Sequence, residues 1–296
     1  MDLLCLFLLC PVVENGSVSL LFCAEGDCGS HLQEAILSAK SVECAFFELD
    51  LEQVVDALVK RDARLVLDGG QKGLRPHVRT KIVNGAGYMH NKFCVLDGNR
   101  VLTGSFNPTH SANEEQDNVL IDISSPTLAR AYRAEFEELW SGVPSTFRMP
   151  RLTLGNISIE AYFCPEDSCS LHVQHELLSA KRSIDFLAFS FTSEAIVDAM
   201  LHSPAHLTGV VERINAHAGS EYPRLSGFGV DIWKDGNPGM MHHKTFIIDD
   251  SVVVTGSFNP TQNADKRNDE NLLIIRSPEI AMQFEGEFER VMAEAK

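Results

Sequence analysis

His90-x-Lys92 is followed by Asp97 and then by Gly104-Ser105-Phe106-Asn107-Pro108-Thr109. The same residue types return 152 positions later as His242-x-Lys244, Asp249 and Gly256-Ser257-Phe258-Asn259-Pro260-Thr261. An ammonium group and amide or hydroxyl donors suit anionic oxygens, and an imidazole can attack an electrophile or move a proton. Two such sets around one point suit a phosphodiester, with fixed donors for the non-bridging oxygens and one histidine each for nucleophile and acid. They do not suit a metal. A protonated Lys offers no lone pair, so His-x-Lys is not a ligand pair, and the expected site holds neither metal nor cofactor. A single His-x-Lys on a strand is usually solvated surface; repetition at identical spacing argues otherwise.

Residues two apart share a face of a strand, so His90 projects with Lys92 and His242 with Lys244. Asp97-Gly98-Asn99 reads as a hairpin turn with Gly98-Asn99 as a two-residue loop. That register sets Lys92 opposite Ser105 and His90 opposite Asn107. With Asp250-Ser251 as the second loop, Lys244 faces Ser257 and His242 faces Asn259. Asp97 and Asp249 have the other parity and are expected to pin the turns, and His243 is set aside on the same ground.

These hairpins are positioned by a duplicated framework. Each copy reads as strand, helix (Leu32 to Ile36; Val173 to Leu178), strand, second helix (Glu52 to Lys60; Glu194 to His202), strand, motif hairpin, strand and closing helix (Pro126 to Trp140; Pro278 to Ala293). Alternation of strands and helices predicts an α/β sandwich in each copy. Residues 11–145 form the expected first lobe and 151–296 the second, joined through Pro144 and Pro150. About eleven extra residues in the second copy are placed within 213–226.

The 296 residues are 44% hydrophobic and 22% charged, enough apolar material for one large or two medium cores. The 25 Lys and Arg against 41 Asp and Glu give a net charge of −16, which excludes a protein that coats nucleic acid or anionic lipid through bulk positive charge. No stretch reaches membrane-spanning length. Residues 1–10 have no counterpart in the second copy and read as an apolar appendage, either an export or anchoring remnant or an ordinary N-terminal element. Localisation stays open between export, membrane association and the cytoplasm.

The two motifs resemble the paired HKD motifs of the phospholipase D superfamily, and the resemblance extends over nearly the whole chain. It implies a two-lobed α/β fold, each lobe a mixed β-sheet flanked by helices, related by a pseudo-twofold axis through one active site. It also implies metal-independent chemistry through a phosphohistidine, with His90 as nucleophile, His242 as acid, and Lys92, Lys244, Asn107 and Asn259 completing the site. Ser105 and Ser257 belong to the structural part of the motif. The family keeps an acidic residue past the Gly-Ser-x-Asn segment to orient the histidine; Glu270 matches it, and Asp117 stands near the same place in the first copy.

The compact copies, and Gly239-Met240-Met241-His242-His243-Lys244, look most like the bacterial endonuclease and mitochondrial nuclease branch, which implies single-stranded nucleic acid as substrate. A fused pair replaces a homodimer, so a monomer without an obligate protein partner is expected. Lys72, Arg75, His77, Arg79 and Lys81 form a dense basic run that either lines a channel for the nucleic-acid backbone or is a solvated loop. The alternatives are a phospholipase D or phosphatidyltransferase acting on phospholipid, and a non-catalytic phosphate-binding module.

Cys23 with Cys28 and Cys164 with Cys169 recur at equivalent places, five residues apart. Disulfides, buried thiols and a joint four-thiolate zinc site are all open. Cys5, Cys10, Cys44 and Cys94 carry no comparable signal, and Cys94 is expected to pack beneath Lys92.

Overall fold

The structure is a computed structural model and describes residues 11–70 and 79–295. Two mixed sheets dominate it. The first runs β2 (Ser17–Phe22), β8 (Val119–Ser124), β7 (Arg100–Gly104), β6 (Lys92–Leu96), β3 (Val42–Phe46), β4 (Arg64–Asp68) and β5 (Arg79–Val83). The second repeats that order as β10 (Ile157–Cys164), β16 (Glu270–Arg276), β15 (Val252–Gly256), β14 (Lys244–Ile248), β11 (Ser183–Ala188), β12 (His206–Val211) and β13 (Asp231–Lys234). It then adds β9 (Leu152–Leu154) and β1 (Val12–Glu14) at the β10 edge. Strand β1 pairs parallel with β9, so residues 12–14, assigned to the first lobe from sequence, lie in the second sheet.

The hairpin strands β6 and β14 read Lys-Phe-Cys-Val-Leu and Lys-Thr-Phe-Ile-Ile and are buried along their whole length. Such runs fit central strands covered on both faces, and they carry the motif residues at their N-terminal ends. The expected hairpin register is wrong by one residue. Leu96 pairs with Arg100 and Ile248 with Val252, leaving three-residue loops, Asp97-Gly98-Asn99 and Asp249-Asp250-Ser251. The reason is local conformation: Asp97, Gly98, Asp249 and Asp250 all have positive φ, so the aspartates lie inside the turn instead of closing it.

The closing helices fasten the lobes together. Helix Pro126–Ser141 begins with Ser125 Oγ accepting the Leu128 amide and with Pro126 in its first turn, and it ends at Gly142 in the left-handed region. Its buried face (Leu128, Tyr132, Phe136) and that of helix Pro278–Ala295 (Ile280, Phe284, Phe288) join the inner faces of both sheets in one hydrophobic core. Each lobe has a further outer core of its own. The lobes therefore share buried apolar surface and do not pack as independent domains.

Three disulfides are formed among the described residues: Cys23–Cys28, Cys164–Cys169 and Cys44–Cys94. The last corrects the sequence reading of Cys44 and Cys94. These residues are directly opposite on β3 and β6, so Cys94 bonds across the strands instead of packing freely beneath Lys92. Cys5 and Cys10 lie outside the described residues.

Candidate active site

The residues of the repeated Gly-Ser-Phe-Asn-Pro-Thr run have distinct tasks, the Pro108 and Pro260 carbonyls accepting the Asp50 and Leu51 amides and those of Thr192 and Ser193. Gly104 and Gly256 have φ of 136° and 142°, and a Cβ there would sit 2.2 Å from the Val119 carbonyl oxygen or 2.4 Å from that of Asn271. Only glycine fits both the dihedral and the space. Phe106 and Phe258 are buried in the outer cores. Thr109 and Thr261 cap the short helices that follow, accepting the Ala112 and Ala264 amides. The sharp bend after each glycine takes Asn107 and Asn259 off the hairpin. The expected pairing of His90 with Asn107 and His242 with Asn259 across one ladder is therefore not formed, because both strands end at the glycine.

The histidines are held by the opposite lobe. The His90 amide donates to the Asp269 carbonyl at 2.9 Å, and the His242 amide to the Asp117 carbonyl at 2.9 Å, as two isolated parallel bridges. His90 Nδ1 lies 2.7 Å from Glu270 Oε2, whose carboxylate also accepts from Ser257 Oγ at 2.7 Å and Asn268 Nδ2 at 3.1 Å. His242 Nδ1 lies 2.8 Å from Asn118 Oδ1, which also accepts from Ser105 Oγ at 3.1 Å. Ser105 and Ser257 thus orient the groups that orient the rings. In both cases the bond fixes Nδ1 as the protonated nitrogen and leaves Nε2 for chemistry.

Asp117 does not play the part its place in the sequence suggested. Its carboxylate turns away to Arg290 Nη2 at 2.5 Å and Asn237 Nδ2 at 2.9 Å, and only its backbone carbonyl reaches His242. The residue structurally equivalent to Glu270 is Asn118, which the 152-residue repeat distance points to directly. The site is accordingly asymmetric, with a carboxylate behind one histidine and an amide behind the other.

Lys92 Nζ donates to the His90 carbonyl at 2.7 Å, and Lys244 Nζ to that of His242 at 2.8 Å. Both ammonium groups lie over equivalent rings, Lys92 over Phe47 at 5.1 Å and Lys244 over Phe189 at 4.9 Å. The same rings meet the histidines edge-on, Phe47 with His90 at 4.8 Å and Phe189 with His242 at 4.5 Å. The Oδ1 atoms of Asn107 and Asn259 are buried without a partner. The phenylalanines, Asn118, and the carboxylates of Asp68 and Glu212 that accept the Met89 and Met241 amides were not singled out from sequence. Their equivalence across the repeat was the available signal. Asp97 accepts the Lys40 and Ser41 amides, and Asp249 those of Lys181, Arg182 and Ser183, so both tie the hairpin to the preceding strand.

Burial, with Lys92 and Lys244 close by, holds the His90 imidazolium well below its usual pKa. Burial and the two lysines do the same to His242, with His90 adding to the effect, so all four cationic groups converge. Burial brings Lys92 down to about 7 and Lys244 well below its ordinary value, and it pushes Glu270 up to about 7 against the pull of Lys92. An anion is the missing partner for such a cluster. Raising pH through the value for Lys92 removes a charge that attracts it, so kcat/KM for a phosphodiester is expected to fall as pH climbs through about 7. Once the anion is bound it favours the charged lysines and His242, so kcat should hold to higher pH than kcat/KM. Parallel profiles of the two quantities, measured on a small diester, would remove this linkage.

A cavity of about 570 Å³ opens over His90 and Asn259, with Phe47, Tyr88 and Phe189 on its walls and Gln262, Asn263 and Asn268 among its polar lining. Of the basic run, Arg79 and Lys81 are exposed on the edge strand β5 and do not line this cavity, and Lys72, Arg75 and His77 lie outside the described residues.

Comparison with known proteins agrees on the family. The family described as cardiolipin synthase, PLD-like domain, matches residues 53–140 and 173–292, well over half the chain. The mitochondrial cardiolipin hydrolase of Xenopus laevis is 34% identical over 152 residues, which cover 46% of this chain and 71% of that protein. The phospholipase D of Rickettsia typhi is 32% identical over 144 residues, covering 47% and 69%. The crystal structure of phosphatidylserine synthase from Haemophilus influenzae Rd KW20 covers 94% of this chain and 86% of its own, with a TM-score of 0.68 at 12% identity, a likeness of fold. With relatives named cardiolipin hydrolase and phospholipase D, and a family model matched over most of its length, the chain belongs to the phospholipase D superfamily.

Proposed function

We propose that the chain is a metal-independent phosphodiesterase working through a phosphohistidine, with single-stranded nucleic acid as its substrate. The observation that carries the chemistry is the pair of buried histidines, each oriented through Nδ1 by the opposite lobe, converging with two lysines. His90 Nε2 attacks phosphorus while the bond to the leaving oxygen breaks, and His242 donates its Nε2 proton to that oxygen. Water then attacks phosphorus, His242 takes up the water's proton, and the bond from phosphorus to His90 breaks. Lys92, Lys244, Asn107 and Asn259 face the non-bridging oxygens, supplying the charge stabilisation that two-metal nucleases obtain from Mg²⁺.

The asymmetry supports the division of roles. Glu270 stabilises the positive charge that forms on His90 when its Nε2 is phosphorylated. A neutral amide behind His242 leaves that ring readier to release its proton.

For the substrate, the supporting feature is the cavity wall. Tyr88 is 58% exposed and meets Phe47 edge-on at 5.5 Å, offering an aromatic face beside His90, while Gln262 and Asn263 provide amides for base edges. The second reading, cleavage of a phospholipid, is supported by the names of the relatives, cardiolipin hydrolase and phospholipase D.

The deciding assay offers a single-stranded oligonucleotide, cardiolipin vesicles and bis(p-nitrophenyl) phosphate to the purified chain in excess EDTA. Cleavage of the oligonucleotide and the small diester is expected. Tyr88→Ala should lower oligonucleotide cleavage by about 10-fold or more, the size of one lost stacking contact, while the small diester is little affected. Turnover of vesicles alone would select the phospholipid reading, and abolition by EDTA with rescue by Mg²⁺ would remove the metal-free mechanism.

A further inference from the structure

We propose that Asp117, Asp235 and Glu294 form a divalent-cation site, suited to Ca²⁺, at the seam between the lobes and apart from the catalytic cavity. One carboxylate oxygen from each lies within 4.8 Å of the others. Oxygens bound to one Ca²⁺ at about 2.3–2.6 Å are separated by no more than about 5 Å, so the three can share an ion without moving apart. Carboxylates alone, with neither thiolate nor imidazole, make a set for a hard cation.

An acidic cluster on a surface needs no ion, but Asp235 is not on the surface. It is 2% exposed, and neither of its carboxylate oxygens has a hydrogen-bond partner of good geometry; only the backbone amides of Asn237 and Gly236 approach closely enough to favour its charged form. An ionised carboxylate in that condition is costly unless something positive meets it.

The internal cation nearby is already committed. Arg290 donates to Asp117 Oδ1 at 2.5 Å, to Glu294 Oε1 at 2.8 Å and to both oxygens of Glu287. One guanidinium thus serves three carboxylates and leaves Asp235 to itself. A cavity of about 280 Å³ bordered by Asp117, Arg290 and Glu294 gives room for the waters that would fill a Ca²⁺ shell.

Internal symmetry shows that the fold does not demand this cluster. At the positions 152 residues away the other half carries Asp269, Val83 and Gly142, so two of the three carboxylates have no equivalent. What the ion would join is specific. Asp117 belongs to the first lobe and holds the His242 amide, Asp235 follows β13, and Glu294 lies on the closing helix of the second lobe. The ion would clamp three separate parts of the chain, acting on stability and not on the bond being cleaved.

The test is thermal unfolding of the EDTA-stripped chain with and without Ca²⁺, paired with equilibrium dialysis against ⁴⁵Ca²⁺. The unfolding midpoint should rise saturably, by about 5 °C at a hundredfold excess over Kd, with one ion bound per chain. Asp235→Asn should abolish both the rise and the tight binding while raising the midpoint of the stripped chain, because a buried amide costs less than an unpaired carboxylate. Glu294→Ala, on the last turns of a surface helix, repeats the test without touching the buried position. A midpoint unmoved by Ca²⁺ in the parent chain, or a full Ca²⁺ response retained by Asp235→Asn, would overturn the proposal.

Discussion

His90→Asn should leave no covalent adduct with any diester, whereas His242→Asn should accumulate phosphohistidine on His90 when the leaving group is a nitrophenolate. The first substitution removes the nitrogen that attacks. The second removes the proton donor, which matters in proportion to how badly the leaving oxygen needs a proton. An alkoxide leaving group needs one and a nitrophenolate does not, so His242→Asn should lose about 10⁴-fold or more on a nucleotide diester and far less on the first step with bis(p-nitrophenyl) phosphate. Hydrolysis of the adduct needs His242 again as base, which is why the intermediate should build up. A denaturing quench followed by mass analysis of the His90 peptide reads the result directly. An adduct on His242 in the His90→Asn chain would exchange the two roles, and no adduct in either chain would remove covalent catalysis.

How much of this was legible before the structure depends on the range of the interaction concerned. The long helices, the alternation of strands and helices along each copy and the paired His-Lys-Asn sets follow from local patterning and from the repeat, since apolar periodicity and a conformation-demanding Gly104 act over a few residues; the order of strands in the sheets and the edge strands β5 and β13 do not. The hairpin register did not follow, because Asp97 and Asp249 take left-handed conformations that a two-residue loop would not need. The crossing of the lobes did not follow either. Nothing in the spacing of Met89-His90 shows that its amide will bond to residue 269, and the exchange of Glu270 and Asn118 between histidines is visible only once both bridges are formed. Asp117 is the carboxylate that follows the first motif at about the right distance in sequence. Exact application of the repeat distance to Glu270 leads to Asn118 instead, and Asp117 falls opposite Asp269. The Cys44–Cys94 bond was missed for a similar reason: fifty residues separate the two, and only the pairing of β3 with β6 sets them side by side.

The asymmetry behind the histidines leads to the other large effect. Glu270→Gln should lower kcat by about 10³-fold, because the amide oxygen can still accept from Ser257 and His90 but no longer neutralises the charge that forms on His90; its NH2 then meets the Asn268 Nδ2 donor, so a stability loss of about 1–2 kcal/mol is expected and should be measured alongside. Asn118→Asp is the opposite experiment. A carboxylate beside His242 favours its imidazolium, so the ring should keep its proton to higher pH and the alkaline limb of the kcat profile should move up by about one unit. Its cost in kcat should be small by comparison, since the acid remains in place and only releases its proton less readily. The substitution does set a carboxylate oxygen where Asn118 Nδ2 now approaches the Ala112 carbonyl at 3.5 Å, so a stability loss of about 1 kcal/mol is expected and should be measured alongside. If the histidines were interchangeable, the two variants would lose comparable activity and neither limb would move preferentially. A large kcat loss in Glu270→Gln together with an upward alkaline shift in Asn118→Asp would instead show that the duplicated halves have diverged, one histidine backed for attack and the other for proton transfer.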